Sequence, residues 1–313
     1  MLEFSQQKNH EIPLYTEETD IALPKTLNPK TRYAFFAPIA TGGKSLIKSC
    51  IDLHLRRRVC YKTLRPELID NNIENLRLLR EARISAMLQH PNTVPTYEIG
   101  RDSRGHYYFT MKLVHGYTLR EILNFRERYD LTQLVDIIIQ VALALAYAHS
   151  LGVLHRDIKP DNILVGPYGE VLLLDWGMAK VWPRERSKAS DDTEIDEVDG
   201  GLGMTGEGKL QGTVMYMSPE QVRRDPDISS ASDIYSLGAV LYETLTGTTP
   251  FQGDIVHKLL DKIRLETPAV PRSTNHEPLS PLLADLSMQC LQKDPQARPS
   301  SATELVRILK EGR

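Results

Sequence analysis

His155-Arg156-Asp157-Ile158-Lys159-Pro160-Asp161-Asn162 follows a long apolar segment and precedes two short apolar runs, Ile163 to Val165 and Val171 to Leu174, joined by Gly166-Pro167-Tyr168-Gly169. Asp175-Trp176-Gly177 comes directly after. These are the residue types that phosphoryl transfer needs. One carboxylate must accept or orient a hydroxyl proton, and oxygen ligands must hold magnesium against phosphates. Asp157 suits the first task, and Asn162 and Asp175 suit the second. Two short runs around a Gly-Pro-Tyr-Gly turn read as a hairpin between them.

Upstream, Leu131 to Ser150 reads as a helix. Its most apolar window, Leu134 to Ala148, is interrupted by Asp136 and Gln140 and falls short of the roughly 20 apolar residues that a membrane span needs, so a buried core helix and no membrane span are expected. Leu119 to Arg128, Ala231 to Thr246, Asp254 to Leu265, Pro281 to Gln292 and Ala302 to Lys310 also carry helical spacing, the last with Ser301 and Glu304 at capping-box positions. Toward the amino terminus the texture changes. Tyr33 to Lys62 holds short apolar runs punctuated by Gly42 and Gly43, Val94 to Glu98 and His106 to Val114 read as further strands, and Ile73 to Gln89 is the one helix among them. Residues 1–31 are polar, carry Pro13, Pro24 and Pro29, and read as an extension.

The 313 residues suffice for a large core, and 41% hydrophobic with 25% charged residues is ordinary globular composition. A net charge of −3 offers no general attraction to nucleic acid or an anionic membrane. Three cysteines, Cys50, Cys60 and Cys290, lack C-x-x-C spacing, so neither a disulfide framework nor a zinc site is indicated, and a reducing cytoplasm fits. The first residues lack the basic-then-apolar order of a secretory signal. Between Ser187 and Gly208, Asp191, Asp192, Glu194, Asp196, Glu197 and Asp199 cluster among Ser, Thr and Gly, as expected of a mobile loop.

The central stretch resembles the protein-kinase catalytic loop HRDxxxxN followed by DFG, with Trp176 in place of phenylalanine. The resemblance covers about residues 32 to 310. Val59-Cys60-Tyr61-Lys62 matches VAIK, which makes Lys62 the phosphate-holding lysine, and Glu81 on the single early helix its partner. Gly212-Thr213-Val214-Met215-Tyr216-Met217-Ser218-Pro219-Glu220 resembles the end of an activation segment. Arg298 matches the arginine that pairs with Glu220, and Asp233 the aspartate that supports the catalytic loop. Lys159 and Thr213 resemble the serine/threonine branch, and phrases such as His90-Pro91-Asn92 look most like the eukaryotic-like (Hanks-type) bacterial enzymes.

The resemblance implies an α+β, two-lobed fold. A mainly β lobe would span 32–114 and a mainly α lobe 115–313, with an activation segment over 175–220. It implies a protein serine/threonine kinase using ATP and Mg2+, with Asp157, Lys159, Lys62 and Glu81 as catalytic residues and Asn162 and Asp175 as metal ligands. The phosphate-covering loop falls on Ala40-Thr41-Gly42-Gly43-Lys44-Ser45-Leu46-Ile47, where alanine and serine replace two of three family glycines. Because a Cβ hinders close approach to phosphate, weaker or slower nucleotide handling is expected. Adenine would lie between Ile39, Ile47 and Cys60 on one side and Leu164 on the other, with Met111 as gatekeeper and Lys112 to Val114 as hinge. Ser85, four residues after Glu81, is small and is expected to leave room for Trp176.

Arg156 is, in this family, often the receiver of an activation-segment phosphate; Thr205, then Thr193 and Ser190, are the candidate sites. The partners implied are protein substrates and a second copy for trans-autophosphorylation. Two rivals follow: a pseudokinase scaffold, favoured only by the degenerate loop, and a small-molecule phosphotransferase, opposed by the Thr213 to Glu220 segment.

Overall fold

The computed structural model describes residue 22 and residues 31–181, 214–253, 255–272 and 279–313. Within these the chain forms two compact units, one built from residues up to 89 with 94–115, the other from 90–93 with 116–313.

The first unit is a five-stranded antiparallel sheet, ordered β1 (Tyr33–Thr41), β2 (Ser45–Asp52), β3 (Arg57–Leu64), β5 (Tyr107–Met111) and β4 (Thr96–Arg101), with one long helix, α1 (Asn72–Met87). Alternation along β3 divides its side chains between two faces. Val59 and Tyr61 join Cys50, Tyr108 and Tyr33 on one side. Leu64 on the other packs with Phe109 and with Leu78 and Ala82 of α1. Helix α1 starts where Asn71 accepts from the backbone N–H groups of Ile73 and Glu74 at 3.0 and 3.2 Å, which satisfies donors the first turn leaves orphaned.

The second unit is mainly helical. Its centre is α3 (Leu131–Ser150), where Leu134, Val135, Ile138, Val141, Ala142, Ala144, Leu145 and Ala148 are fully buried. Among the described residues this is the one helix long and apolar enough to cross a membrane, and its apolar side chains form the core of this unit. Against it pack α5 (Ser230–Thr246) and α8 (Ala302–Gly312), with α7 (Pro281–Cys290) bridging those two and α6 (Val256–Leu265) beside the short α4 (Pro219–Arg223). The expected hairpin is present as β8 (Ile163–Val165) and β9 (Val171–Leu173), extended by β6 (Tyr117–Thr118); β7 (Val153–Leu154) pairs with β10 (Lys180–Val181).

Two local expectations need correction. The helix read over Leu119 to Arg128 is only α2 (Leu119–Leu123). The chain leaves helical geometry at Phe125 (φ −128°, ψ 36°) and resumes as a 3-10 turn at Arg126–Arg128. There the Arg126 guanidinium donates to the carbonyls of Thr244 and Leu245, closing the end of α5. At α8, Ser301 Oγ accepts from Glu304 N as expected, but the Glu304 carboxylate accepts from the Ser300 N–H and hydroxyl, so the box is not reciprocal.

Candidate active site

The catalytic stretch leaves β7 and turns sharply at Arg156, whose φ of 68° is unusual for a residue with a Cβ and costs about 1–2 kcal/mol. What holds it is Asp233, fully buried on α5. Its Oδ2 accepts from His155 N at 2.9 Å and its Oδ1 from Arg156 N at 2.8 Å, while His149 Nε2 lies 2.8 Å from Oδ2. Burial works against this charge, yet the His149 contact and the backbone donors hold the carboxyl below its ordinary range.

Beyond the turn, the Asp157 carboxylate meets Lys159 Nζ at 3.0 and 2.7 Å and Asn162 Nδ2 at 3.0 Å from Oδ2. Burial pushes this carboxyl above the usual aspartate range; Lys159 pulls it back and neighbouring Asp175 pushes it further up. Pro160 opens a 3-10 turn, Pro160–Asn162, that brings Asn162 back toward Asp157. The arrangement is a carboxylate of raised basicity beside a fixed cation, suited to taking or orienting a hydroxyl proton.

Asn162 commits its Nδ2 to Asp157, to the carbonyl at 2.8 Å and to the carboxylate, so its amide oxygen takes no part in these bonds. Asp175 lies in left-handed backbone, φ 59° and ψ 76°, and is exposed, with Oδ1 accepting from Gly177 N at 3.3 Å. A carboxylate and an amide oxygen are hard donors and fit a hard divalent cation. Such a cation would neutralise phosphate charge there. No cluster of three or more His, Cys, Asp or Glu suited to a metal occurs among the described residues. Trp176, which follows, is 3% exposed and packs edge-on against the His155 ring at 4.6 Å.

In the sheet unit, Lys62 Nζ on β3 meets Glu81 Oε1 on α1 at 2.5 Å, both side chains nearly buried. Burial in this pair means neither charge is left without its partner. The sheet register places Ala40 beside Ile47 and Ile47 beside Lys62, and Cys60 beside Met111. Ile39, Ala40 and Thr41 are exposed, Ile47 is half-buried and Cys60 is buried, its thiol pushed up to about 12 by burial. Lys112, exposed, donates its N–H to Pro95 O at 3.0 Å, and Val114 is half-buried. Leu164 lies on β8 of the helical unit, opposite Leu172.

At the glycine-poor loop, Gly42 N donates to Ser45 O at 2.8 Å, and a Cβ on Gly42 would come within 3.2 Å of Ser45 Oγ. Gly43 is exposed. Lys44 Nζ reaches Glu74 Oε1 on α1 at 2.9 Å, and Arg77 meets the same carboxylate at 2.5 Å. Nothing in the local sequence signals this tie between loop and helix.

The segment end is held by a buried pair. Arg298 donates to Glu220 through Nη1 at 2.6 Å and Nη2 at 2.9 Å, and burial notwithstanding, Arg298 keeps the Glu220 carboxyl below its usual range. Sequence reasoning missed Gln221. Its side-chain oxygen accepts from Ser218 N at 2.9 Å, and its Nε2 donates to the Arg156 carbonyl at 2.8 Å. A Ser-x-x-Gln spacing after Met217 is the signal that could have found it. Thr205, Thr193, Ser190 and Thr213 lie outside the described residues.

The protein kinase domain family matches residues 33–308. The serine/threonine-protein kinase PknD of Chlamydia felis is 35% identical over 291 residues, which is 88% of this chain and 30% of that protein. PknD of Chlamydia pneumoniae is 36% identical over 288 residues with the same coverage. The serine/threonine-protein kinase pkn3 of Myxococcus xanthus is 34% identical over 309 residues, 95% of this chain and 53% of that protein. The chain thus spans about a third of the length of the PknD relatives, and the pseudokinase alternative gains no support from these names. With HRDIKPDN, the paired Lys62 and Glu81, and these matches in agreement, the chain belongs to the protein kinase family, in its eukaryotic-like bacterial serine/threonine branch.

Proposed function

We propose that the chain itself carries out the reaction its family is named for, moving the γ-phosphoryl group of ATP to serine or threonine hydroxyls of proteins. The observation that carries the reading is the Asp157 carboxylate, raised in basicity and held between Lys159 and Asn162. Asp157 takes the substrate hydroxyl proton as the oxygen attacks phosphorus, and Lys159 offers its cation near the incoming phosphoryl charge. Asn162 and Asp175 are the ligands for Mg2+, Lys62 anchors phosphate and Glu81 orients Lys62. Ile39, Ala40, Thr41, Gly42, Gly43, Lys44, Ser45, Ile47, Cys60, Met111, Lys112, Val114 and Leu164 are proposed to contact the nucleotide.

Autophosphorylation between two copies, at Thr205, Thr193 or Ser190, belongs to the same reading, as does a cytoplasmic site of action, which three buried free thiols favour. The test is incubation with Mg2+, γ-labelled ATP and a mixed serine, threonine and tyrosine peptide library. Transfer to serine and threonine that vanishes in Asp157→Asn is expected. ATP turnover equal in Asp157→Asn and the unmutated chain would sink the reading.

A further inference from the structure

The peptide group joining Arg156 to Asp157 has both of its polar ends committed. Its N–H, on Asp157, donates to His155 Nδ1 at 3.2 Å, and its carbonyl, on Arg156, accepts from Gln221 Nε2 at 2.8 Å. The peptide before it is fixed through Arg156 N by Asp233. A residue at φ 68° stays there only if its surroundings over-determine it. Asp233 restrains the turn from the Arg156 N–H, His155 from the Asp157 N–H and Gln221 from the Arg156 carbonyl.

The Gln221 amide has no freedom to turn over. Its oxygen accepts from Ser218 N and its nitrogen donates to Arg156 O, so a flip would set oxygen against oxygen and nitrogen against N–H. Gln221 N in turn donates to Ser218 Oγ at 3.3 Å, and Ser218 Oγ lies 3.2 Å from Ser232 Oγ, which donates to Glu220 Oε1 at 2.6 Å. Gln221 is thus tied through its main-chain N–H to the network around the Glu220 and Arg298 pair, and through its side chain to the peptide bearing the base.

We infer that Gln221 is a positioning residue for Asp157, by which the end of the segment at Ser218 to Gln221 sets the orientation of the catalytic carboxylate. The inference rests on the proposed phosphoryl transfer. Losing the bond frees the Arg156 carbonyl to rotate and carries the Asp157 side chain away from Lys159 and Asn162, and misplacement by about 1 Å costs up to a hundredfold in rate. Binding of ATP is expected to be untouched, because among the described residues the Gln221 side chain bonds to Ser218 and Arg156 and to none of the residues proposed to contact the nucleotide.

The variants are Gln221→Glu, which keeps an oxygen for Ser218 N but turns a second oxygen on the Arg156 carbonyl, and Gln221→Met, which keeps volume without either bond. Both are assayed as the full chain with Mg2+, ATP and a phosphorylated peptide from the library, beside the unmutated chain and Asp157→Asn. The expected result for Gln221→Glu is a kcat lower by about tenfold or more, with KM for ATP within about twofold and an unchanged urea midpoint. An unchanged kcat in either variant overturns the inference, as does a kcat that falls only in step with the urea midpoint in both. If the unmutated chain shows no turnover that depends on Asp157, the activity reading itself fails and the inference falls with it. If that turnover is present and Gln221→Glu matches it, only the role of Gln221 is refuted.

Discussion

Replacing Arg298 by methionine isolates a buried, two-bond charge contact in the helical unit. The Arg298 side chain is 0% exposed and Glu220 5%. Besides the two bonds to Glu220, its Nε donates to Gln292 O at 2.8 Å and Nη1 to Ala231 O at 2.8 Å. In Arg298→Met, the Glu220 carboxylate loses both guanidinium bonds while keeping the Ser232 hydroxyl at 2.6 Å, and the carbonyls of Gln292, Ala231 and Lys293 lose the Arg298 donor. Removing one partner of a buried pair costs about 3–5 kcal/mol, because the remaining charge stays buried without compensation. Urea unfolding followed by tryptophan fluorescence reads the loss, since Trp176 is 3% exposed in the same unit.

The pH dependence makes the cause identifiable. Glu220 has its folded carboxyl below the unfolded value, so the stability it confers is present above the unfolded pKa and is lost as pH falls through the folded one. In the variant the same carboxyl, buried without its cation, is relieved by protonation. The gap between the two chains therefore narrows on acidification through the carboxylate range. A gap under about 1 kcal/mol at pH 7, or one that widens in acid, would refute the argument.

Two further outcomes follow from single contacts. Because burial raises the Asp157 carboxyl, kcat declines on the acid side at a higher pH than an ordinary aspartate would give, and Lys159→Ala, which removes the group pulling it down, moves that limb higher still; a pH–rate profile checks both. On α5, a Cβ at Gly238 would lie 2.2 Å from Cys290 Cβ, so Gly238→Ala lowers the urea midpoint, overpacking of about 1–3 kcal/mol exceeding the gain of about 1 kcal/mol in helix propensity. Adding Cys290→Ala does not restore it, since the obstructing atom is the Cβ itself.

Much of this was legible because the decisive residues are neighbours in sequence. Asp157, Lys159 and Asn162 lie within one short stretch whose spacing fixes their meeting, and the strands and α1 are written in local periodicity. Asp233, Glu220 and Arg298 were readable only through resemblance; their partners are far along the chain and no local period connects them. Gln221 and the Lys44 to Glu74 contact were not read at all. A glutamine after a helix cap reads as capping alone, and a loop lysine reads as a surface charge. Only the fold brings Arg156 O to the one and Glu74 to the other.

The glycine-poor loop shows the opposite failure, in which a motif suggests more constraint than the backbone has. The family pattern places glycine where Ala40 and Ser45 stand, and glycine's two uses are positive φ and close approach. Ala40 lies within β1 and Ser45 opens β2, in strand backbone that any residue adopts, and neither Gly42 nor Gly43 takes a positive φ. Conformational freedom is therefore not what the two replacements remove. What they change is bulk, one methyl at Ala40 and one hydroxymethyl at Ser45, and the Ser45 carbonyl already serves the turn by accepting from Gly42 N. On the proposed function, the cost to nucleotide handling reduces to the space those two side chains would occupy beside a phosphate. Ala40→Gly and Ser45→Gly therefore act on KM for ATP through sterics, while the turn that Gly42 closes stays as it is.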